Sequence, residues 1–405
     1  MSRDRVQAIV DRFAAELGRS VVVNDPDVRM LFASPHFGDE DPVRIRAMLN
    51  RDAGGEAIGF LLSSGISRWT RPGRVPGSSE LGLHARAGVP IRSRGAVIGM
   101  ILVIDADGTV TDAELDRIGE VADELAPLLL DPTADDAVEA VVTAALGRDP
   151  VARVGALADL GAAGHRPGSG PVRVVTVTTT EHGDRDLATV ALRHALVSAR
   201  SRSRGDVLVA VDGLRGHLVR LGPDGRALDD VVAEARALVD GVREVVGDAP
   251  VVTAGAGSSV PDLATAWVSA RQAGLAADVA RRRGDGPVAA WERSGPAALL
   301  VRVPTDELDV TAVPEALRRL AAADPSGRLL ETLRAFLDHA GAGPAAAGAL
   351  FIHRTTLYYR LDRIREITGV DLDDGTLRLE LHLGLLVADL LRADGVDPFA
   401  PLSQG

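Results

Sequence analysis

The residues best suited to chemistry in this chain form a short polar series near its C-terminal end, within the segment 344–369. The series comprises Arg354, Thr355, Thr356, Tyr359, Arg360 and Arg363. Arginine can hold guanine edges or phosphate, and threonine can contact base edges or the thymine methyl group. Leu357, Leu361 and Ile364 recur at i, i+4 and i+7 in the same segment. This spacing indicates one apolar helix face, with most of the polar series on or near the other side.

Two short helices are needed to position these residues. Small residues follow Pro344, which suits the first turn of a helix because its missing N–H costs nothing there. A second helix begins near His353, and Gly369 is a suitable residue to end it. Two helices joined by few residues, the second with Arg, Thr and Tyr outward, are typical of a helix-turn-helix. An ordinary amphipathic pair with a solvated arginine face is the alternative.

The helix-turn-helix interpretation assigns a role to each polar residue. We predict base contacts for Arg354, Thr355, Thr356 and Tyr359, and phosphate contacts for Arg360 and Arg363. His353 is predicted to mark the start of the helix, because it precedes the first turn. Across 353–365, four arginines against one aspartate give a net charge of +3 with histidine neutral. We therefore expect a narrow basic stripe on an otherwise acidic chain.

The spacing of this segment also matches a longer pattern, A-x-x-L-x-[VI]-H-R-N-T-L-x-Y-R-L-x-R-I-x-E-[LI]-T-G. The matching residues are Ala347, Leu350, Ile352, His353, Arg354, Thr356, Leu357, Tyr359, Arg360, Leu361, Arg363, Ile364, Glu366, Ile367, Thr368 and Gly369. By this pattern the segment resembles the C-terminal helix-turn-helix of the PucR/CdaR family of bacterial transcriptional regulators. Thr355 stands where the family usually has Asn, a better adenine reader, so the departure concerns the target sequence and not the fold.

The resemblance implies a regulator that binds double-stranded DNA and has no enzyme activity. It also implies a homodimer or a higher homo-oligomer, since paired recognition helices multiply affinity and specificity. A signalling protein or scaffold that binds nucleotides or small molecules, with terminal helices that contact only protein, is the alternative from another class.

Composition limits the remaining possibilities. The chain has 405 residues, a net charge of -12 and no cysteine, and all 45 of its basic residues are arginine. This length predicts two to four domains, and the missing cysteines exclude disulfides and thiolate metal sites. The N-terminus lacks the apolar core of a signal peptide, and no apolar run reaches the ~18 residues that cross a bilayer. We expect a cytoplasmic protein with no membrane partner.

The domain prediction is a multidomain α+β chain. The predicted segments are 1–130, a GAF-like α/β sensor domain; 131–170, a helical linker; 171–305, a degenerate GGDEF-like α/β domain with a ferredoxin-like sheet; 306–325, a connector; and 326–395, an all-α helix-turn-helix domain. The order of strands and helices in the middle segment, βα, ββ, α, β, α, suggests a sheet layered with helices.

The first segment resembles a GAF domain through the strand pair VVVND…VRMLFAS, the ELG at 80–82 and the apolar strands within 89–105. A hairpin turn is predicted at Arg94-Gly95 between those last strands. GAF domains enclose a small-molecule pocket in some proteins and are structural or dimerising in others. Trp69, His84 and His36 are candidate residues for an effector pocket, and a core or rim position is the alternative for each.

The middle segment resembles the degenerate GGDEF-like domain of the same family through residues 254–277. A diguanylate cyclase needs a Gly-Gly-Asp/Glu-Glu-Phe turn with paired acids, whereas the corresponding hairpin here has only Asp212. Glycines at 255 and 257 could form a phosphate loop, but the lysine of a P-loop is missing and a tight strand-to-helix turn explains them as well. The nine histidines lack metal-site spacing, so we predict no cofactor, no metal and no catalytic residues.

Overall fold

The computed structural model describes residues 2–50, 53–93, 96–129, 134–165, 170–180, 185–203, 206–222, 226–284, 286–304 and 307–400. The strands are β1 (Val21–Asn24), β2 (Met30–Ala33), β3 (Gly73–Val75), β4 (Arg86–Ser93), β5 (Ala96–Ile104), β6 (Val172–Thr179), β7 (Val207–Asp212), β8 (Arg215–Leu221), β9 (Val252–Ala256) and β10 (Val288–Ala290). The helices are α1 (Ser2–Leu17), α2 (Pro42–Asn50), α3 (Gly55–Ser63), α4 (Asp112–Leu125), α5 (Ala134–Leu146), α6 (Pro150–Ala162), α7 (Arg185–Arg202), α8 (Leu228–Val246), α9 (Ala266–Arg283), α10 (Trp291–Ser294), α11 (Ala297–Leu300), α12 (Glu315–Ala323), α13 (Arg328–Asp338), α14 (Gly343–Ala349), α15 (Arg354–Thr368) and α16 (Gly375–Ala393).

The described chain divides into two compact units, Met1–Ala277 and Asp278–Gly405. The first unit holds both the predicted sensor segment and most of the predicted middle segment, each built on its own sheet. The fold is therefore multidomain and mixed α/β. No helix within the described residues is both long enough and apolar enough to span a membrane.

The first sheet has the strand order β2-β1-β5-β4-β3, with antiparallel neighbours. Its strands are rich in β-branched residues, and α1 and α4 cover one face through Val10, Phe13 and Ile118, all buried. Thr111 and Glu114, three residues apart as a capping box requires, form one at the start of α4. The predicted hairpin turn at Arg94-Gly95 lies outside the described residues.

Helix α3 lies within residues 54–79, a part of the chain that is rich in Gly, Ser and Pro. Ala57, Ile58 and Leu61 of this helix are buried. A Cβ atom at Gly59 would lie 2.3 Å from the carbonyl oxygen of Val245 in α8, so the two helices touch through their backbones. Only glycine permits this approach, and the contact joins the layer of the first sheet to the layer of the second.

The second sheet runs β9-β6-β8-β7 in the first unit, again with antiparallel neighbours. Strands β7 and β8 form the predicted hairpin. Helices α5 and α6, predicted as a linker of unknown role, pack on this sheet through Val142 and Leu160. The linker helices are thus part of the second layer.

Candidate nucleic-acid interface

The predicted helix-turn-helix is formed by α14 and α15 in the second unit. Helix α14 begins at Gly343, with Pro344 in its first turn, and the turn that follows ends at His353. Helix α15 covers the whole polar series from Arg354 to Arg363. Both helices were therefore correctly placed from the sequence.

The ends of α15 are fixed by specific contacts. The His353 ring accepts a hydrogen bond at Nδ1 from the backbone N–H of Thr355 at 3.3 Å, which confirms the predicted role of His353 at the helix start. Gly369 ends the helix with φ +69°, and its N–H donates to the Arg365 carbonyl at 2.8 Å. Arg319 of α12 donates from Nη2 to the Thr368 carbonyl at 2.9 Å. Hydrogen bonds to backbone groups thus stabilise both ends of the helix.

One face of α15 is part of the hydrophobic core. Leu357, Leu361 and Ile364 are 0%, 1% and 0% exposed, as the i, i+4, i+7 spacing predicted. They pack with residues of the neighbouring helices, including Leu317, Leu320, Leu333, Phe336, Ala346 and Leu381. This packing holds the opposite face of α15 in a fixed orientation toward solvent.

The opposite face carries most of the predicted DNA contacts. Arg354, Thr355, Thr356, Tyr359 and Arg363 are all exposed, and Tyr359 retains 73% of its accessible surface. The first three occupy the first turn of the helix, which is the part that contacts base edges when such a helix lies in the major groove. The structure therefore brings five of the six residues onto one accessible surface.

Arg360 differs from the other five. It is half-buried, and its Nη1 donates to the hydroxyl of Thr332 in α13 at 3.2 Å. Thr332 is fully buried and donates in turn to the Arg328 carbonyl at 2.7 Å. Arg360 therefore fixes α15 on α13, while the remaining N–H groups of its guanidinium are still able to meet a phosphate.

Two of the four arginines of α15 are paired with acids of the same helix. Arg363 lies 2.8 Å from Glu366, and Arg365 lies 2.8 Å from Asp362. Arg363 and Glu366 are 55% and 65% exposed, so their pairing contributes little to stability. A phosphate can therefore replace Glu366 as the partner of Arg363 at small cost.

Sequence reasoning missed one prominent residue in the turn. Phe351, between α14 and α15, is 96% exposed and has φ +54°. The motif gives this position no fixed residue type, so its spacing carried no signal.

Comparison with known proteins supports the assignment of these helices. The family model described as the PucR C-terminal helix-turn-helix domain matches residues 329–387, which span most of α13 through most of α16. Residues 329–387 of this chain therefore form a PucR-type helix-turn-helix domain. The matched region contains every residue of the predicted DNA contact series.

Three relatives illustrate how far this similarity extends. An uncharacterised protein of Mycobacterium tuberculosis is 33% identical over 213 residues, which are 51% of this chain and 44% of the relative. The Carbohydrate diacid regulator of Escherichia coli is 48% identical over 69 residues, 17% of this chain and 18% of the relative. The transcriptional activator PmfR of Paenarthrobacter nicotinovorans is 52% identical over 61 residues, 15% of this chain and 13% of the relative. The match spans less than half the length of the first of these relatives.

Outside the PucR-type domain, the three candidate pocket residues have contacts of their own. His36 is exposed, with Nδ1 2.8 Å from Glu40, and His84 places its Nδ1 3.2 Å from the Asp39 carbonyl. Trp69 packs its ring against Gly73. None of the three lines the cavity that the first sheet encloses with α2 and α3.

That cavity has a volume of about 40 Å³ and is lined mainly by apolar side chains. Asn24 and Arg44 line it, and Oδ1 of Asn24 and Nε of Arg44 are buried with no hydrogen-bond partner among the residues that the structure describes. Arg86, also at the wall, forms an ion pair with Asp41. Burial raises the pKa of Asp41, but the Arg86 charge and hydrogen bonds from two backbone amides outweigh it, so the pKa lies below its ordinary value.

Proposed function

We propose that this chain is a DNA-binding transcriptional regulator whose helix α15 lies in the major groove. The observation that carries the proposal is the division of α15 into a buried leucine face and an exposed face of Arg, Thr and Tyr. The PucR-type match supports it, as do relatives named as a regulator and as a transcriptional activator. The protein would act where the DNA is, in the cytoplasm.

The proposal includes a homodimer. One short helix contacts few base pairs, and a second copy that binds a half-site about 34 Å away multiplies affinity and specificity. We also propose that the first unit acts as a sensor, with a GAF-like first layer and a GGDEF-like second layer without cyclase activity. The single acid of the β7–β8 hairpin, Asp212, supports the absence of catalysis, since a cyclase turn needs paired acids.

The test is selection of a binding sequence by the full chain from a library of randomised DNA duplexes. The proposal predicts enrichment of one motif with two related half-sites, spaced by one helical turn of DNA or a multiple of it. A population that stays random after repeated rounds, at low and at physiological salt, would contradict it.

A second proposal concerns a small effector at the cavity of the first sheet. The two unpartnered atoms, Asn24 Oδ1 and Arg44 Nε, match a ligand that offers one donor and one anionic acceptor. The volume of about 40 Å³ admits only a few non-hydrogen atoms, as in a small hydroxy acid. We expect lactate to raise the Tm of the full chain and to leave that of Arg44→Met unchanged. Equal shifts in both proteins would exclude this site.

A further inference from the structure

Phe351 is the large apolar side chain with the greatest exposure among those described, at 96%. It lies in the turn of the helix-turn-helix, and the next residue but one, His353, is the N-cap of α15. Along the chain, Phe351 is followed closely by the first turn of α15, where Arg354 and Thr355 are exposed. An exposed aromatic side chain thus directly precedes the residues that are proposed to contact DNA.

The backbone at Phe351 is held in a conformation that favours glycine. Its N–H donates to the Gly348 carbonyl at 3.1 Å, and the N–H of Ile352 donates to the Ala347 carbonyl at 3.1 Å. These two hydrogen bonds form a Schellman motif, in which the residue at the position of Phe351 is left-handed and most often glycine. With φ +54°, Phe351 is strained, and an almost fully exposed ring gains little from the rest of the chain in return.

The preceding turn, between α13 and α14, provides an internal comparison. Ala340 has φ +53°, its N–H donates to the Leu337 carbonyl at 2.9 Å, and the N–H of Gly341 donates to the Phe336 carbonyl at 2.8 Å. The motif and the strain are the same as at Phe351, and Ala340 is also exposed. The two turns differ in the side chain, which is a methyl group at Ala340 and a full aromatic ring at Phe351.

We propose that Phe351 is a DNA-contacting residue that places its ring against an apolar part of the duplex beside the bases contacted by α15. This inference rests on the proposed function. The apolar parts of DNA that such a ring can reach are the thymine methyl group in the major groove and the deoxyribose of the flanking strand. The contact explains why a strained turn carries a large ring. The strain and the exposed ring destabilise the free protein, and the ring stabilises the complex with DNA.

The test compares Phe351→Gly with Ala340→Gly. Both substitutions relieve the left-handed strain, so both are expected to raise the Tm of the full chain by a few degrees. Only Phe351→Gly is expected to weaken binding to the duplex that the wild-type chain selects from a randomised library, by about tenfold. Phe351→Tyr, which keeps the ring, is expected to bind like the wild type.

A second duplex identifies the apolar group. It carries deoxyuridine in place of each thymine of the selected motif, which removes the methyl groups and leaves the Watson–Crick edges unchanged. If Phe351 contacts a thymine methyl, this duplex weakens the wild type and has a smaller effect on Phe351→Gly. If the ring contacts deoxyribose, the modified duplex affects both proteins equally, and the tenfold difference between them remains.

Three results would overturn the inference. If the wild type binds its selected duplex and Phe351→Gly binds it equally well, Phe351 does not contact DNA, although the proposed function stands. If Phe351→Gly loses DNA affinity only because it no longer forms the oligomer seen for the wild type by sedimentation, the ring contacts protein. If the wild type selects no duplex, the proposed function fails first, and the inference falls with it.

Discussion

Thr355 is one of the residues that we propose to determine which DNA sequence is bound. Its exposed hydroxyl lies 3.0 Å from Nδ1 of His353, at the end of α15 that is proposed to meet the bases. Asparagine, which is usual at this position in the PucR/CdaR pattern, can form two hydrogen bonds to adenine, whereas threonine cannot.

We predict that Thr355→Asn changes the selected DNA motif at one position in favour of adenine, and that Thr355→Ala lowers the preference there by about 1 kcal/mol. Affinity for random DNA is expected to stay the same in both variants, because phosphate contacts carry non-specific binding. Repeating the library selection with each variant provides the measurement. If both variants select the same motif as the wild type, Thr355 does not contact the bases.

At this scale the sequence predicts the core better than the surface. Leu357, Leu361 and Ile364 follow from helical spacing alone, because burial of one face repeats with the period of the helix. The contact of Arg360 with Thr332 depends on how α13 crosses α15, and no local pattern contains that information. The left-handed conformation of Phe351 was equally unpredictable, because the usual signal for such a turn is glycine.

Helix α15 must end at a defined residue if its exposed face is to be presented correctly. Gly369 provides that end through φ +69°, a conformation that costs other residues about 1 kcal/mol or more. Gly348 in α14 is the matched control: it is helical and exposed, and a Cβ atom there would meet nothing within 4 Å.

We predict that Gly369→Ala destabilises the second unit by about 1 kcal/mol, because alanine is strained in the left-handed conformation. Gly348→Ala is expected to stabilise it by up to about 1 kcal/mol, because alanine is the better helix former. Amide hydrogen exchange within α15 reports both effects. Equal protection in the two variants would show that the end of α15 does not depend on Gly369.

Elements defined by tertiary contacts were harder to predict than isolated ones. The capping box of α4 and the hairpin β7–β8 are local, and the sequence indicated both. The sequence does not indicate helix α3, because GEAIGFLLS contains two glycines, which are poor helix formers. A Cβ atom at either glycine would lie less than 3 Å from an atom of α8, so the glycines allow the two helices to pack closely. The glycines at 255 and 257 have a similar role: a Cβ atom at either would lie 2.0 Å from a carbonyl oxygen of α9, which favours a packing role over a phosphate loop.

Within the first unit, the two layers are connected by charge as well as by packing. Arg193 of α7 lies 2.6 Å from Asp27, in the β1–β2 turn of the first sheet, and 3.1 Å from Glu139 of α5. Burial lowers the pKa of Arg193, but the two carboxylates outweigh it and raise the pKa above its ordinary value. Arg193 therefore joins the β1–β2 turn of the first sheet to α5 and α7 of the second layer, a contact that the distance between these residues in the sequence concealed.

For the molecule as a whole, the proposed DNA binding has to take place on an acidic chain. The net charge is -12, yet Arg354 and Arg363 are both exposed on α15. Binding then depends on the local field of α15 and on a few phosphate contacts, each of which releases counterions. Salt dependence measures those contacts directly.

The decisive measurement is the affinity of the full chain for its selected duplex and for a random duplex of equal length, at several salt concentrations, with Arg363→Ala as the variant. We predict tighter binding to the selected duplex, weakening with salt, and in Arg363→Ala a loss on both duplexes with a log–log slope smaller by about one. Equal binding of both duplexes at every salt concentration, or the same slope for wild type and Arg363→Ala, would contradict the assignment of α15 to DNA.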